Sequence, residues 1–151
     1  MKTVGYAAKS EGAQLGEYTF ERRDLRDNDV EIEILYCGVC HSDLHAVRND
    51  WGGSRYPLVP GHEIVGKVKA IGSAVKNYAK GDTVAVGCMV DSCQSCKQCD
   101  NGEEQFCQEG MVGTYAGKDR ETGEMTQGGY SKHIVVREEF VLSVPENLEL
   151  S

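Results

Sequence analysis

The stretch "SCQSCKQCDNGEEQFC" places Cys93, Cys96, Cys99 and Cys107 at C-x2-C-x2-C-x7-C spacing. Four thiolates can surround one Zn²⁺ tetrahedrally at about 2.3 Å, which leaves no coordination position open. The two-residue gaps let the chain turn sharply around a single ion. Gln94, Ser95, Lys97, Gln98, Asp100 and Asn101 offer no apolar core. A lobe of this composition must draw its folding energy from the metal. A bacterial iron–sulfur run is a poorer fit, because it ends x3-C-P, whereas here the last gap is seven residues and Gln108 follows. A disulfide framework needs an oxidising compartment and fits an odd total of seven cysteines poorly.

The compartment expected from sequence is the cytoplasm. "MKTVGYAAKSEG" has no apolar h-region of a secretion signal. No run approaches the ~20 apolar residues of a membrane helix. The net charge of −8 argues against nucleic acid and anionic membranes as partners, since both demand a basic face. Asp100 to Glu124 carries seven acids against Lys118 and Arg120, which reads as a solvated loop face.

At 151 residues, one domain with a real core is expected. Eighteen glycines and three prolines imply many turns and short strands. "VEIEILYCG" alternates, with Val30, Ile32, Ile34 and Tyr36 on one face, and reads as a half-buried strand. Further strands are expected over 64–72, where Gly66 suggests a bulge, and over 82–87, 129–138 and 140–145. "VGYAAKS" and "GEYTFERR" form a plausible hairpin. The only good helix runs from Ser42 to Asn49, with Ser42 as its N-cap. Short strands at this spacing predict a mainly β domain, barrel-like or sandwich. No G-x-G-x-x-G or P-loop occurs in these residues.

A second constellation is "CGVCHSDLH", Cys37 to His45, followed by "VPGHEIVG". Cys40, His62 and Glu63 supply ligand types that Zn²⁺ accepts. Cys40 follows one strand and His62 precedes the next, so both can lie at one end of a barrel. On spacing alone, His62 can equally be a hydrogen-bonded structural histidine and Cys40 a buried small residue. Cys37 and Cys88 match no ligand position and are expected to be buried. A redox role for the Cys37–Cys40 pair would lack the βαβ context of such thiols.

"YCGVCHSDLH", "PLVPGHEIVGKVKAIG", "GDTVAVG" and the four-cysteine lobe, in this order, resemble the zinc-dependent medium-chain alcohol dehydrogenases. Within them the resemblance points to the cinnamyl-alcohol-dehydrogenase-like aldehyde reductases. It covers essentially the whole chain. It implies a GroES-like catalytic domain over 1–151: a partly open β-barrel with few short helices and a zinc lobe at about 88–112. By the same resemblance, Cys40 and His62 bind a catalytic zinc and Glu63 can enter or leave its coordination shell. Asp43 orients the His62 ring. Ser42 takes the alcohol proton, and His45 passes it towards solvent. His41 occupies the place of a cofactor-phosphate contact, and Trp51 looks like a substrate-pocket wall. Plainer roles at these positions are a helix cap for Ser42, an exposed helix residue for His45 and a core ring for Trp51.

The implied activity is interconversion of primary alcohols and aldehydes with NADP(H). The cofactor-binding Rossmann domain of such enzymes, and a third protein ligand of the catalytic zinc, have no counterpart in these residues. The resemblance therefore implies a catalytic-domain half that is inactive alone, holds its structural zinc firmly and its catalytic zinc weakly. Exposed apolar surface would favour self-association. The reading from another class is a non-catalytic zinc-binding β module that docks a protein partner.

Overall fold

The alternation of apolar and charged residues in "VEIEIL" buries one face of a long central strand, and the sheet is built around it. The computed structural model describes residues 1–150. In chain order these form β1 (Lys2–Ala7), β2 (Gly16–Glu21), β3 (Asp29–Cys37), α1 (His41–Arg48), β4 (Ile64–Ile71) and β5 (Thr83–Val86). There follow β6 (Met89–Asp91), α2 (Lys97–Asp100), β7 (Val112–Gly113), β8 (His133–Arg137) and β9 (Val141–Ser143). No described helix is long and apolar enough to cross a membrane.

Five strands pair antiparallel in the order β8-β3-β4-β5-β9, and β1 and β2 form the expected hairpin. Inward residues supply the core: Val30 and Ile32 from β3, Val84 and Val86 from β5 and Ile134 and Val136 from β8, each pair two apart, and Ile64 and Val68 from β4, with Gly66 between them. The hairpin curls onto this sheet through the segment before β8. The Tyr6 N–H donates to the Tyr130 carbonyl at 2.8 Å and the Lys132 N–H to the Val4 carbonyl at 2.9 Å. The Lys132 carbonyl accepts from the Ile34 N–H at 2.8 Å. Residues 130–132 thus join β1 to β3, which is why β8 starts later than the alternation alone predicts. Strand β9 pairs with β5 alone, so the barrel is partly open.

The expected inward row of β3 holds for Val30 and Ile32, but Ile34 is only half-buried and Tyr36 is exposed. The cause is a register shift: Ile34 pairs with Gly66 and Tyr36 with Val65, so Leu35 is an extra residue. A bulge of this kind reverses which face the following residues point to. Cys37 then turns inward and packs against the core. Gly66 sits opposite this bulge, where an added Cβ would collide with the Glu33 carbonyl.

A network of ion pairs ties the loop between β7 and β8 to the barrel. Arg23 grips the almost fully buried Asp29 through both carboxylate oxygens. Asp119 accepts from Arg26 Nη2 at 2.8 Å and lies 3.3 Å from Arg23 Nε. Partial burial raises the Asp119 pKa, but the Arg26 hydrogen bond and the Thr122 and Glu121 N–H groups outweigh it and hold the carboxyl well below the usual range. A depressed carboxylate contributes stability that is complete above the unfolded pKa, about 3.9, and is lost as the pH falls below it. Asp119→Asn should therefore cost about 1–2 kcal/mol at pH 7. Urea unfolding of the parent and this variant should give a difference that shrinks steadily from pH 5 towards pH 3.

Candidate metal centres

Between β6 and β7 the chain loops out and returns, and the four lobe cysteines meet inside this loop. Their sulfurs all lie within 4.8 Å of one another. Cys93 Sγ is 3.8 Å and Cys96 Sγ 3.5 Å from Cys99 Sγ. A tetrahedron of thiolates at about 2.3 Å from a metal has edges of about 3.8 Å, so the cluster has the size zinc requires. All seven cysteines are free thiols. Main-chain donors point at the sulfurs: the Cys93 N–H at Cys107 Sγ and the Gln108 N–H at Cys96 Sγ, each at 3.4 Å. The Gln108 and Cys99 N–H groups lower the Cys96 pKa, while the hydrogen bond shared with Cys96 raises that of Cys99, so the lobe sulfurs share protons among themselves.

The second centre is assembled by the β3–β4 pair. Cys37 is paired with Ile64, so Cys40, three residues on, and His62, two residues back, emerge at the same end. Ligand atoms of Cys40, His62 and Glu63 fall within 4.8 Å of one another. One thiolate, one imidazole and one carboxylate make a donor set suited to zinc, and Glu63 is exposed to solvent. A Cβ at Gly38 would push the Glu63 carboxylate from its place beside Cys40 and His62, while the Gly38 N–H donates to the Glu63 carbonyl at 2.8 Å.

Asp43 organises this end of the barrel. It is 3% exposed, and its carboxylate accepts from the Cys40 N–H at 3.0 Å, the Gly61 N–H at 3.0 Å and the Tyr130 hydroxyl at 2.8 Å. These bonds link the residues flanking both ligands to one buried charge. Asp43 Oδ1 faces His62 Nδ1 at 3.8 Å, longer than a hydrogen bond. The N-cap of α1 is Cys40, not Ser42 as the sequence suggests. The cap lies two residues earlier because Asp43, at the third helical position, reaches back to the Cys40 N–H. Ser42 is thereby freed from capping, and its hydroxyl donates to Cys40 Sγ at 3.1 Å.

The remaining predicted residues lie along α1 and just beyond it. His45 Nδ1 is 2.8 Å from Asp50 Oδ2, and its ring stacks on His41 at 4.6 Å and leans against Trp51 at 4.9 Å. Trp51 is 68% exposed, so it is not a core ring. His41 is exposed on the same face. Cys88 is exposed, contrary to the buried role expected from sequence, because it lies between two short strands at the foot of the lobe.

Three residues at this centre carried no sequence signal. Tyr115 stacks on the His62 ring at 5.6 Å, and burial pushes its hydroxyl pKa up to about 12. Burial and the Asp43 contact raise the Tyr130 pKa, keeping its proton available for that hydrogen bond. Asp50 fixes the His45 ring. The segment that carries Tyr130 is held by Arg22, which donates to the Gly128 carbonyl at 2.7 Å, to Ser131 Oγ at 2.8 Å and to the His133 carbonyl at 2.9 Å.

Residues 26–146 match the alcohol dehydrogenase GroES-like domain family, and the chain belongs to it. It is 51% identical over 149 residues to a probable cinnamyl alcohol dehydrogenase 8C of Oryza sativa subsp. japonica, covering 97% of this chain and 34% of that protein. It is 51% identical over 153 residues to an NADP-dependent alcohol dehydrogenase C of Mycobacterium bovis, covering 99% of this chain and 43% of that protein. A cinnamyl alcohol dehydrogenase of Sorghum bicolor superposes with a TM-score of 0.95 at 44% identity, over 99% of this chain and 42% of that one. A cinnamyl alcohol dehydrogenase of Helicobacter pylori complexed with NADP(H) gives a TM-score of 0.95 at 42% identity, over 99% of this chain and 43% of that one. The chain thus spans between a third and somewhat under half of the length of these relatives.

Tyr130→Phe removes a donor to Asp43 and keeps the ring. It should weaken metal binding at the Cys40–His62–Glu63 centre about tenfold and leave the four-cysteine centre unchanged, as read by zinc competition titration.

Proposed function

We propose that residues 1–151 form the catalytic domain of a zinc-dependent oxidoreductase that interconverts primary alcohols and aldehydes with NADP(H). The cofactor-binding domain would be supplied by further polypeptide. The observation that carries this reading is the meeting of Cys40, His62 and Glu63 within 4.8 Å, with the Ser42 hydroxyl 3.1 Å from Cys40 Sγ. The names of the rice, mycobacterial and Helicobacter relatives support the reaction class and the choice of NADP(H).

Zinc held by Cys40, His62 and Glu63 would supply Lewis acidity towards a hydroxyl or carbonyl oxygen. The chain's own residues would handle the proton and the substrate. Ser42 Oγ holds the proton beside the reacting oxygen. His45, with Nδ1 engaged by Asp50, has Nε2 left to exchange a proton with solvent. Asp43 positions the segments that carry Cys40 and His62. Trp51 walls the substrate path, and His41, on the same exposed face, contacts a cofactor phosphate.

The four-cysteine lobe plays a structural part, since a closed thiolate site offers no position to a substrate. A reducing cytoplasm would keep Cys40, Cys93, Cys96, Cys99 and Cys107 free for these roles. Val4, Tyr6 and Leu35 are exposed along one groove, which supports a surface covered by more polypeptide and inclined to self-associate when bare.

NADPH oxidation with a panel of aromatic and aliphatic aldehydes tests the proposal. The 151-residue chain alone should give negligible turnover. The polypeptide read onward from its coding sequence should be active, and Ser42→Ala should lower its kcat about a hundredfold. Robust turnover by the 151-residue chain contradicts the division of labour, and an inactive two-zinc longer polypeptide contradicts the enzyme reading.

A further inference from the structure

The lobe cysteines differ in what faces them. Cys96 receives the Gln108 N–H, Cys99 lies 3.3 Å from the Ser92 hydroxyl, and Cys107 receives the Cys93 N–H. These are neutral dipoles. Cys107 also faces a full positive charge, because Arg120 Nη2 lies 3.8 Å from its sulfur. Arg120 comes from outside the lobe, on the loop between β7 and β8. A dication with four thiolates is a net dianion. Residues 92–111, which include all four cysteines, carry Asp100, Glu103, Glu104 and Glu109 against Lys97 as their one base.

The guanidinium is held in place from two sides. Its Nη2 donates to the Gly110 carbonyl, and to the Glu109 carbonyl at 3.3 Å, while Nη1 pairs with Glu109 Oε2 at 3.1 Å. It therefore spans the turn that follows Cys107, which the Gly110 N–H closes onto the Cys107 carbonyl at 2.9 Å. On the other side, the neighbouring Asp119 anchors the loop to Arg23 and Arg26 of the barrel. The Asp119 N–H donates to the Glu124 carbonyl at 2.8 Å, and the Gly123 N–H to the Asp119 carbonyl at 2.9 Å, closing the loop that presents Arg120.

The geometry points to Arg120 as a positioning residue of the lobe metal centre: its charge offsets the four-thiolate dianion at Cys107 and slows metal loss. This rests on the reading that the lobe holds zinc. The pair Asp119–Arg120 works as a clasp, one residue fixed to the barrel and the next to the metal centre. A detached sulfur removes the partner of the guanidinium, so the cation favours the fully coordinated state. The contact is partly exposed, and salt should weaken it.

The test is the rate at which zinc passes from the loaded 151-residue chain to the chromogenic indicator 4-(2-pyridylazo)resorcinol. A Cys40→Ser background restricts the signal to the lobe. Arg120→Ala and Arg120→Gln should release zinc about tenfold faster than the parent. Arg120→Lys should recover most of the loss, and the differences should narrow at high ionic strength. Circular dichroism shows whether each variant is folded before release. Should Arg120→Ala unfold, the comparison of Gln with Lys decides, since both keep a polar chain and only Lys keeps the charge. Release by all variants within twofold of the parent, or a Gln variant as slow as the parent, overturns the inference alone. A parent chain that binds no zinc overturns the zinc reading of the lobe, and this inference with it.

Discussion

The antiparallel pairing of β3 with β4 determines where the candidate ligands Cys40 and His62 lie. Cys40 and His62 are separated by twenty-one residues, and nothing local brings them together. The match of Cys37 with Ile64 does so, by making both chains leave the sheet at the same end. The bulge at Leu35 is part of the same constraint. Without it Cys37 would face outward, and the segment leading to Cys40 would start on the wrong side of the sheet. Core packing through Val30, Ile32, Ile64 and Val68 holds this register, because a slip by one residue would expose all of them.

The two centres solve opposite problems with similar means. In the lobe, four sulfurs close a shell, and the protein supplies donors around them: N–H groups, one hydroxyl and Arg120. Around Cys40, His62 and Glu63 the shell is open to solvent on the Glu63 side. There the organising element is a buried carboxylate rather than a cation. Asp43 collects donors from the Cys40 and Gly61 backbone and from Tyr130, so the segments that carry Cys40 and His62 are fixed relative to one another. Both centres thus depend on long-range partners, Tyr130 and Arg22 for one and Arg120 and Asp119 for the other.

Much of the fold is legible in the sequence. Period-two alternation located β3, β4 and β5 to within a residue or two, and the cysteine spacing foretold a single four-sulfur cluster. The grouping of Cys40, His62 and Glu63 required the resemblance, since two motifs so far apart carry little information by spacing. Alternation overran at β8, where residues 129–132 look like strand but bond to β1 and β3 as a connector. Ser42 looks like a helix cap because caps favour serine, but the Asp43 carboxylate reaches back to the Cys40 N–H and makes Cys40 the cap. Tyr115, Tyr130, Asp50 and Arg120 were not legible. Their roles arise only when loops distant in sequence meet, and single aromatic or charged residues in loops have no local pattern to mark them.

The central claim is that this end of the barrel is a metal site of mixed sulfur, nitrogen and oxygen donors, distinct from the lobe. Cobalt(II) titration of the metal-free chain, followed by thiolate-to-cobalt charge-transfer absorption, tests it directly. The account predicts two equivalents: a tight one with the intensity of four thiolates, and a weaker one with the intensity of one thiolate that disappears in Cys40→Ser. A single equivalent at saturating cobalt, or a second that survives Cys40→Ser unchanged, would contradict it.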